Sequence, residues 1–510
     1  MSPILDHLRR QAKTLRTAFN AGDAAARARV LAVLPDIGKL RHADALHVIA
    51  REEGHDSWPK LKMAADIARM DRDARAERLK IALYFGQGWL VDRLLEADPT
   101  LPQHNLGLQI ALLDLDAVRA RLERDPDAAT RIIGVRAPIL HLAFSQFWRR
   151  DPVLADRSVE MARRLVAHGA DVNASFPAEP GSEHELSALY GALGHAGNLT
   201  LARWLLENGA DPNDNESLYH STELGHPKGL EMLLAHGAKT DGTNALARAM
   251  DFDNVEMVRI LLDAGASPNA GIAPHPSGQP FAMVSGLHQA ARRMCGADIA
   301  RLLIAHGADG TGLHCGHTAY ALARMRGNHA VARVLEEAGQ APPLAPEEAQ
   351  LAAIADGETP APFETARFSP EARRVLHRIV AFPGTLDHAR RLVAAGIDPN
   401  DVDEQDMPAI HIAGWHGFPE PVEFLLGHAP DFTVENMYGG NLTDTIIHGA
   451  EFAPKVTGQD HMRTLQLALG AGAPVNREDI EGCGVEDIAE WLRDWAEDHP
   501  AQVARRRPPG

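Results

Sequence analysis

Aromatic residues make up only 5% of this 510-residue chain, and there are three cysteines. Cys295, Cys315 and Cys483 are an odd, thin set that builds no disulfide framework, which points to a reducing cytoplasm. No run approaches the roughly 18 apolar residues a membrane helix requires. The first residues, Met1-Ser2-Pro3-Ile4-Leu5-Asp6-His7, lack an apolar signal core. Positive charge is in deficit, with 51 Lys and Arg against 69 Asp and Glu, a net charge of −18. Phosphate backbones are bound by basic faces, so this balance argues against nucleic acid as the main ligand. One short basic run, Arg505-Arg506-Arg507, lies in a Pro/Gly-ending tail expected to be disordered. Catalytic signatures are missing too: no G-x-x-x-x-G-K-[ST], no G-x-S-x-G, no H-E-x-x-H and no G-x-G-x-x-G between strand and helix. The expectation is a protein that is not an enzyme and takes no cofactor.

What the chain does have is a recurring phrase. Leu205-Leu206-Glu207-Asn208-Gly209-Ala210-Asp211-Pro212-Asn213 is followed by Leu233-Leu234-Ala235-His236-Gly237-Ala238-Lys239-Thr240-Asp241 and by Leu261-Leu262-Asp263-Ala264-Gly265-Ala266-Ser267-Pro268-Asn269. The three glycines stand 28 residues apart. Each phrase reads as a helix ending on a core-facing Leu-Leu pair. The Gly takes the left-handed conformation that stops the helix, and Asp, Asn or Pro makes the turn. A fixed period of this length predicts a stacked-repeat architecture, whose core grows linearly with the chain.

Around this period the pattern varies. Leu94-Leu95-Glu96-Ala97-Asp98-Pro99 and Leu122-Glu123-Arg124-Asp125-Pro126 are matching exits without the Gly-Ala step. Pro138-Ile139-Leu140-His141-Leu142-Ala143 opens a repeat that closes at His168-Gly169-Ala170-Asp171, stretched by an insertion with Phe144, Phe147 and Trp148. Further openings are Ser217-Leu218-Tyr219-His220, Ser285-Gly286-Leu287-His288-Gln289-Ala290-Ala291, Gly316-His317-Thr318-Ala319-Tyr320 and Pro408-Ala409-Ile410-His411-Ile412-Ala413. Together with the exits they resemble the ankyrin repeat, T-P-L-H-x-A-A-x-x-G-H followed by L-L-x-x-G-A-D-x-N. Residues 45–62, Ala45-Leu46-His47-Val48-Ile49-Ala50-Arg51-Glu52-Glu53-Gly54-His55-Asp56-Ser57-Trp58-Pro59-Lys60-Leu61-Lys62, resemble the leader module of many bacterial ankyrin arrays, with Trp58 as the anchor that docks it on the first repeats.

The resemblance implies an all-α ankyrin-repeat solenoid of about a dozen helix pairs with hairpin or loop fingers. The expected organisation is a leader module at 1–73 and an array at 74–340, degenerate over 74–135. A Pro-rich break or degenerate repeat follows at 341–370, then a second array with an acidic C-terminal cap at 371–497, and a disordered tail at 498–510.

By the register of the resemblance, the outer face of each first helix lines a groove open to a partner. That face includes His220, Glu223, Arg248, Asp251, Gln289, Arg292, Met325, Arg326, Trp415 and His416. Trp415 in this slot is either a hot-spot anchor or packs sideways against the next repeat. Insertions at 174–186, 271–284 and 450–460 either extend a binding face or are tolerated loop growth. No metal site is expected. His314-Cys315-Gly316-His317, with His288, Cys295 and His306 near in sequence, reads as turn and repeat histidines, because structural zinc needs four ligands converging tetrahedrally. His168, His236 and His306 read as helix C-terminal residues suited to the helix dipole. The acid pairs Asp211/Asp214 and Glu183/Glu185 read as solvated turn residues. The functional expectation is a non-catalytic, cytoplasmic scaffold for a protein partner with a basic or mixed surface, with no nucleic acid and no membrane. Two alternatives stand beside it: an enzyme or regulatory subunit with a site in the groove or at 341–370, and an immunity protein against a basic toxin.

Overall fold

The repeated phrase ends its helices as the sequence predicts. Helices Leu199–Glu207, Lys228–Ala235 and Val255–Asp263 lead into Gly209, Gly237 and Gly265, whose φ values are +95°, +89° and +95° in this computed structural model. Nothing lies within 4 Å of where a Cβ would stand on any of the three, so backbone conformation and not space calls for glycine here. The alanine after each glycine donates back to the first leucine of the pair: Ala210 to Leu205, Ala238 to Leu233 and Ala266 to Leu261, each at 3.0 Å. This closes a Schellman cap. Those three leucines are fully buried. Second helices begin as regularly as they end, for Asn198 and Asn254 each accept a hydrogen bond at 3.0 Å from the N–H three residues on. His168, His236 and His306 are C-cap residues, and each ring nitrogen Nδ1 meets the carbonyl four residues back at 2.8–2.9 Å.

A second device links one exit to the next. Asn173 donates to the Gly209 carbonyl at 3.0 Å and accepts from the Asp211 N–H at 2.8 Å. Asn269 repeats the motif with Gly307 at 2.8 Å and Asp309 at 2.8 Å, and Asn213 accepts from Lys239 at 2.8 Å. The terminal Asn of one phrase thus satisfies backbone groups of the following one.

The structure describes residues 3–277, 279–359 and 364–504. The run Arg505-Arg506-Arg507 and residues 360–363 of the Pro-rich break lie outside them. Among the described residues no helix is long and apolar enough to cross a membrane. The chain divides into two compact units, Met63–His314 and the discontinuous pair Met1–Lys62 with Cys315–Gly510.

In the Met63–His314 unit, first and second helices alternate from Arg72–Tyr84 to Ala297–Ala305. The insertions form fingers. Ser175–Pro177 pairs antiparallel with Glu185–Ser187, and Ile272 bridges Ala282. One first helix departs from α geometry, with Gly191–His195 forming a π turn. A Cβ on Gly191 would stand 2.6 Å from the Phe144 ring, so the wide turn accommodates an aromatic cluster. That cluster is Tyr84, Phe144, Phe176, Tyr190 and His195. The guanidinium of Arg136 lies 5.1, 5.0 and 4.4 Å from the rings of Tyr84, Phe144 and Phe176. The cage is therefore filled by the protein's own cation, held by ring quadrupoles.

The other unit begins with helices Pro3–Asn20, Ala24–Val33 and His42–Glu52. Trp58 is buried, with the Arg9 guanidinium 5.9 Å from its ring. Helix His42–Glu52 packs on the C-terminal helix Glu486–Asp498, along which Trp491, Trp495 and His499 stack. In the Pro-rich break, helix Pro346–Ala355 packs against Ala319–Arg326 and Leu386–Ala394. Within the stretch read as a tail, Val503–Ala504 adds to Val475–Asn476 as a parallel strand, and the rest of it, 505–510, lies outside the described residues.

Candidate functional site

Three consecutive first helices of the Met63–His314 unit, Ser217–Ser221, Ala245–Asp251 and Gly286–Arg292, carry a continuous polar ladder. It starts at Asp214, whose carboxylate accepts from the backbone N–H groups of Glu216 at 3.1 Å and Ser217 at 2.7 Å. The same carboxylate takes the hydroxyls of Ser187 at 2.5 Å and Ser217 at 2.6 Å. Asp214 is thus a tied turn anchor and not the solvated residue the sequence suggested, whereas Glu183 and Glu185 are exposed as expected. The turn fixes Glu216, which is 4% exposed. His220 Nε2 reaches Glu216 Oε2 at 3.1 Å, and its Nδ1 reaches Glu223 Oε2 at 2.9 Å. Arg248 then bonds Glu223 Oε1 at 2.8 Å and Asp251 Oδ2 at 3.0 Å. Asp251 Oδ1 ends the run by accepting from Gln289 Nε2 and Arg293 Nε, both at 2.7 Å.

Charge alternates along this line, and that fixes its protonation. Burial opposes a charge on His220, but bonds to Glu216 and Glu223 outweigh it and lift the pKa to about 9. Burial likewise pushes Glu216 and Glu223 upward, yet their histidine partners, and Arg248 for Glu223, hold both carboxyls below the usual range. Tyr219 and Phe252 flank the Arg248 guanidinium at 5.5 and 4.7 Å.

Of the ten residues expected to face a partner, five join this ladder: His220, Glu223, Arg248, Asp251 and Gln289. Gln289 is buried, so it supports the face more than it displays it. Arg293 enters the ladder one position after the expected Arg292, because it stands one helical turn beyond Gln289 and shares its face. Met325 and Arg326 are corrections. Met325 is fully buried and Arg326 is 4% exposed, paired with Glu371. Their helix, Ala319–Arg326, is covered by Pro346–Ala355 and Val375–Ile379, so neither side chain is offered to a partner. Trp415 packs sideways. Its ring lies 5.3 Å from that of His448 on the following repeat, while His416 stacks on Phe418 at 5.8 Å.

His314 Nδ1 meets the Met283 carbonyl at 3.1 Å, whereas His317 bonds Glu348 at 2.6 Å and the Ser369 hydroxyl at 2.7 Å. Among the described residues the grouping with metal-ligand chemistry is a different one, His184, Glu216 and His275. Sequence reasoning missed all three. The available signal was the pair of insertions, since His184 lies in 174–186 and His275 in 271–284.

Residues 189–271 match the family model for ankyrin repeats in three copies, and residues 376–426 match the model for many copies. These two stretches of the chain are ankyrin repeats. No curated protein matches the chain. Among solved structures it is similar to the human ASB11 ankyrin repeat domain at 21% identity, covering 47% of this chain and 99% of that one, with a TM-score of 0.35. An ankyrin repeat domain from Acinetobacter baumannii AYE is 25% identical over 38% of this chain and 98% of its own, with a TM-score of 0.30. The Bcl-3 ankyrin repeat domain is 17% identical over 50% and 98%, with a TM-score of 0.21.

Proposed function

We propose that this ankyrin-repeat protein is a non-catalytic scaffold of the bacterial cytoplasm that holds a protein partner against the face built by Ser217–Ser221, Ala245–Asp251 and Gly286–Arg292. The observation that carries this is the ladder from Glu216 to Arg293: charged side chains on separate helices are locked together by mutual bonds before any partner arrives. Pre-ordered side chains lower the entropic cost of association. Phe252, 44% exposed beside Arg248, adds apolar area next to the charges. The net charge of −18 favours a partner whose contact surface is basic or mixed, through steering and complementarity. The N-terminal resemblance supports the bacterial setting, and a count of only three cysteines supports a reducing one.

Affinity capture from native cytoplasm tests the assignment. The Glu223→Ala/Arg248→Ala double variant is expected to lose a partner that the wild type retains and that high salt weakens. Trp415→Ala is expected to keep it, since that ring serves the stack. A captured set unchanged in the double variant, with its thermal midpoint near wild type, places the binding face elsewhere.

A further inference from the structure

We propose that His184, Glu216 and His275 form a binding site for one divalent transition-metal ion of the zinc class, which ties both insertions of the Met63–His314 unit to the turn that begins helix Ser217–Ser221. This goes beyond the scaffold reading and stands without it. The ligand atoms are His184 Nε2, a carboxylate oxygen of Glu216 and His275 Nε2, and all lie within 4.8 Å of one another. His275 Nε2 is 3.0 Å from Glu216 Oε1, and His184 Nε2 contacts the same oxygen. Ligand bonds of about 2.0–2.2 Å put neighbouring donors of a tetrahedral ion roughly 3.3–3.5 Å apart. The three groups therefore need only small side-chain rotations to close on an ion. The imidazole rings stand 4.9 Å apart at 80°, which lets two lone pairs converge from different directions.

The donor set selects the class of ion. Two imidazoles and one carboxylate suit a borderline ion such as zinc, and they disfavour magnesium and calcium, which take oxygen. Burial is graded across the site. The Glu216 side chain is 6% exposed, while His184 and His275 are 18% and 20% exposed. The carboxylate forms the floor and the rings the mouth, so an ion can enter and keep a water or a partner's side chain as its fourth ligand.

The supporting contacts also fit. Glu216 is held by its backbone bond to Asp214, and its second oxygen is taken by His220. Around His275, Nδ1 lies 2.8 Å from the Ser277 hydroxyl and accepts from the Ser277 backbone N–H at 3.2 Å. In this arrangement Nδ1 accepts and the Nε2–H faces Glu216, so binding an ion at Nε2 moves the ring proton to Nδ1, where the Ser277 hydroxyl is placed to accept its hydrogen bond. Without a metal, the same three groups would be two imidazole N–H donors sharing one carboxylate oxygen, and this is the arrangement the experiment must separate from a site.

The full chain, freed of metal by a chelator and then dialysed, is titrated with Co2+ followed by visible absorption, and with Zn2+ and Mg2+ by calorimetry. The expected result is one equivalent of Co2+ with the intense bands of a low-symmetry four- or five-coordinate ion. One equivalent of Zn2+ displaces it, and Mg2+ gives no heat of binding. His275→Ala, in a surface finger, is expected to weaken Zn2+ binding at least about a hundredfold with an unchanged circular dichroism spectrum. Ser277→Ala, which removes a supporting contact, weakens it by about ten- to a hundredfold. His184→Ala serves as an independent second ligand variant, and His314→Ala as a control that leaves binding intact. Absence of stoichiometric uptake by the wild type overturns the proposal, as does uptake that survives both His275→Ala and His184→Ala.

Discussion

At the scale of single residues, the histidines divide by environment and not by sequence neighbourhood. His220, between two carboxylates, is held protonated. His141, His388 and His411 are half to fully buried in the packing of first and second helices, and burial lowers each pKa to about 4. Their unfolded value is near 6.5. Above that pH both states are neutral and the three groups do not affect stability. As pH falls from 6.5 towards 4, the unfolded chain takes up protons that the folded protein refuses, so stability is lost across that window. Each histidine contributes up to about 3 kcal/mol by this route. His411, only 1% exposed, is the cleanest case, with Asp403 the one charge opposing the shift. Chemical denaturation at pH 7.5 and pH 5 should show a smaller acid loss for His411→Leu than for the wild type; equal losses would place the acid sensitivity elsewhere. The identity of His411 as a buried repeat histidine was legible in Pro408-Ala409-Ile410-His411. The linking role of Asn173 and Asn269 was not, because it depends on the distance from one exit to the next, which a single phrase does not contain.

At the scale of elements, the period made the helix pairs legible, since the Leu-Leu pair, the Gly and the capping Asn each act through contacts local in sequence. The fingers were legible only as insertions. Their register depends on where two loops, distant along the chain, come to rest, and so the meeting of His184 and His275 over Glu216 left no local trace. Two glycines show the difference between local and tertiary cause. Gly237 is required by its φ of +89° and has open space around it. Gly449 lies inside helix Leu442–Phe452, and a Cβ there would stand 2.1 Å from the Trp415 carbonyl oxygen and 2.8 Å from its Cα. Gly237→Ala should cost about 1–2 kcal/mol, the ordinary left-handed penalty. Gly449→Ala gains helix propensity but must push two helices apart, so it should cost about 3 kcal/mol or more. Paired urea titrations decide this. A milder effect at Gly449 than at Gly237 would mean that the helices at 409–415 and 442–452 do not approach as closely as described.

At the scale of the whole molecule, stacked repeats hold together mainly by nearest-neighbour contacts, so local losses should stay local. The discontinuous unit adds a contact of another kind. Helix His42–Glu52 packs on Glu486–Asp498, although most of the chain lies between them in sequence. Ile488, Ala489 and Leu492 on helix Glu486–Asp498 are buried, as are Ala45, Leu46, Val48 and Ile49 on helix His42–Glu52. The sequence marked 485–497 as an acidic helix with Trp491 and Trp495, a C-terminal cap with a polar outer face, but nothing in it named the N-terminal helix 42–52 as the surface beneath. If the contact supports both helices, truncation after Gly484 should raise amide hydrogen exchange in 42–52. Exchange in 199–207 and 228–235, which belong to the other unit, should stay at wild-type rates. Local opening free energies report such coupling directly. Unchanged protection at 42–52 would show that the other N-terminal helices suffice to hold it. A rise spread evenly over 199–263 as well would mean that the chain unfolds as one cooperative block, against the nearest-neighbour behaviour its repeats imply.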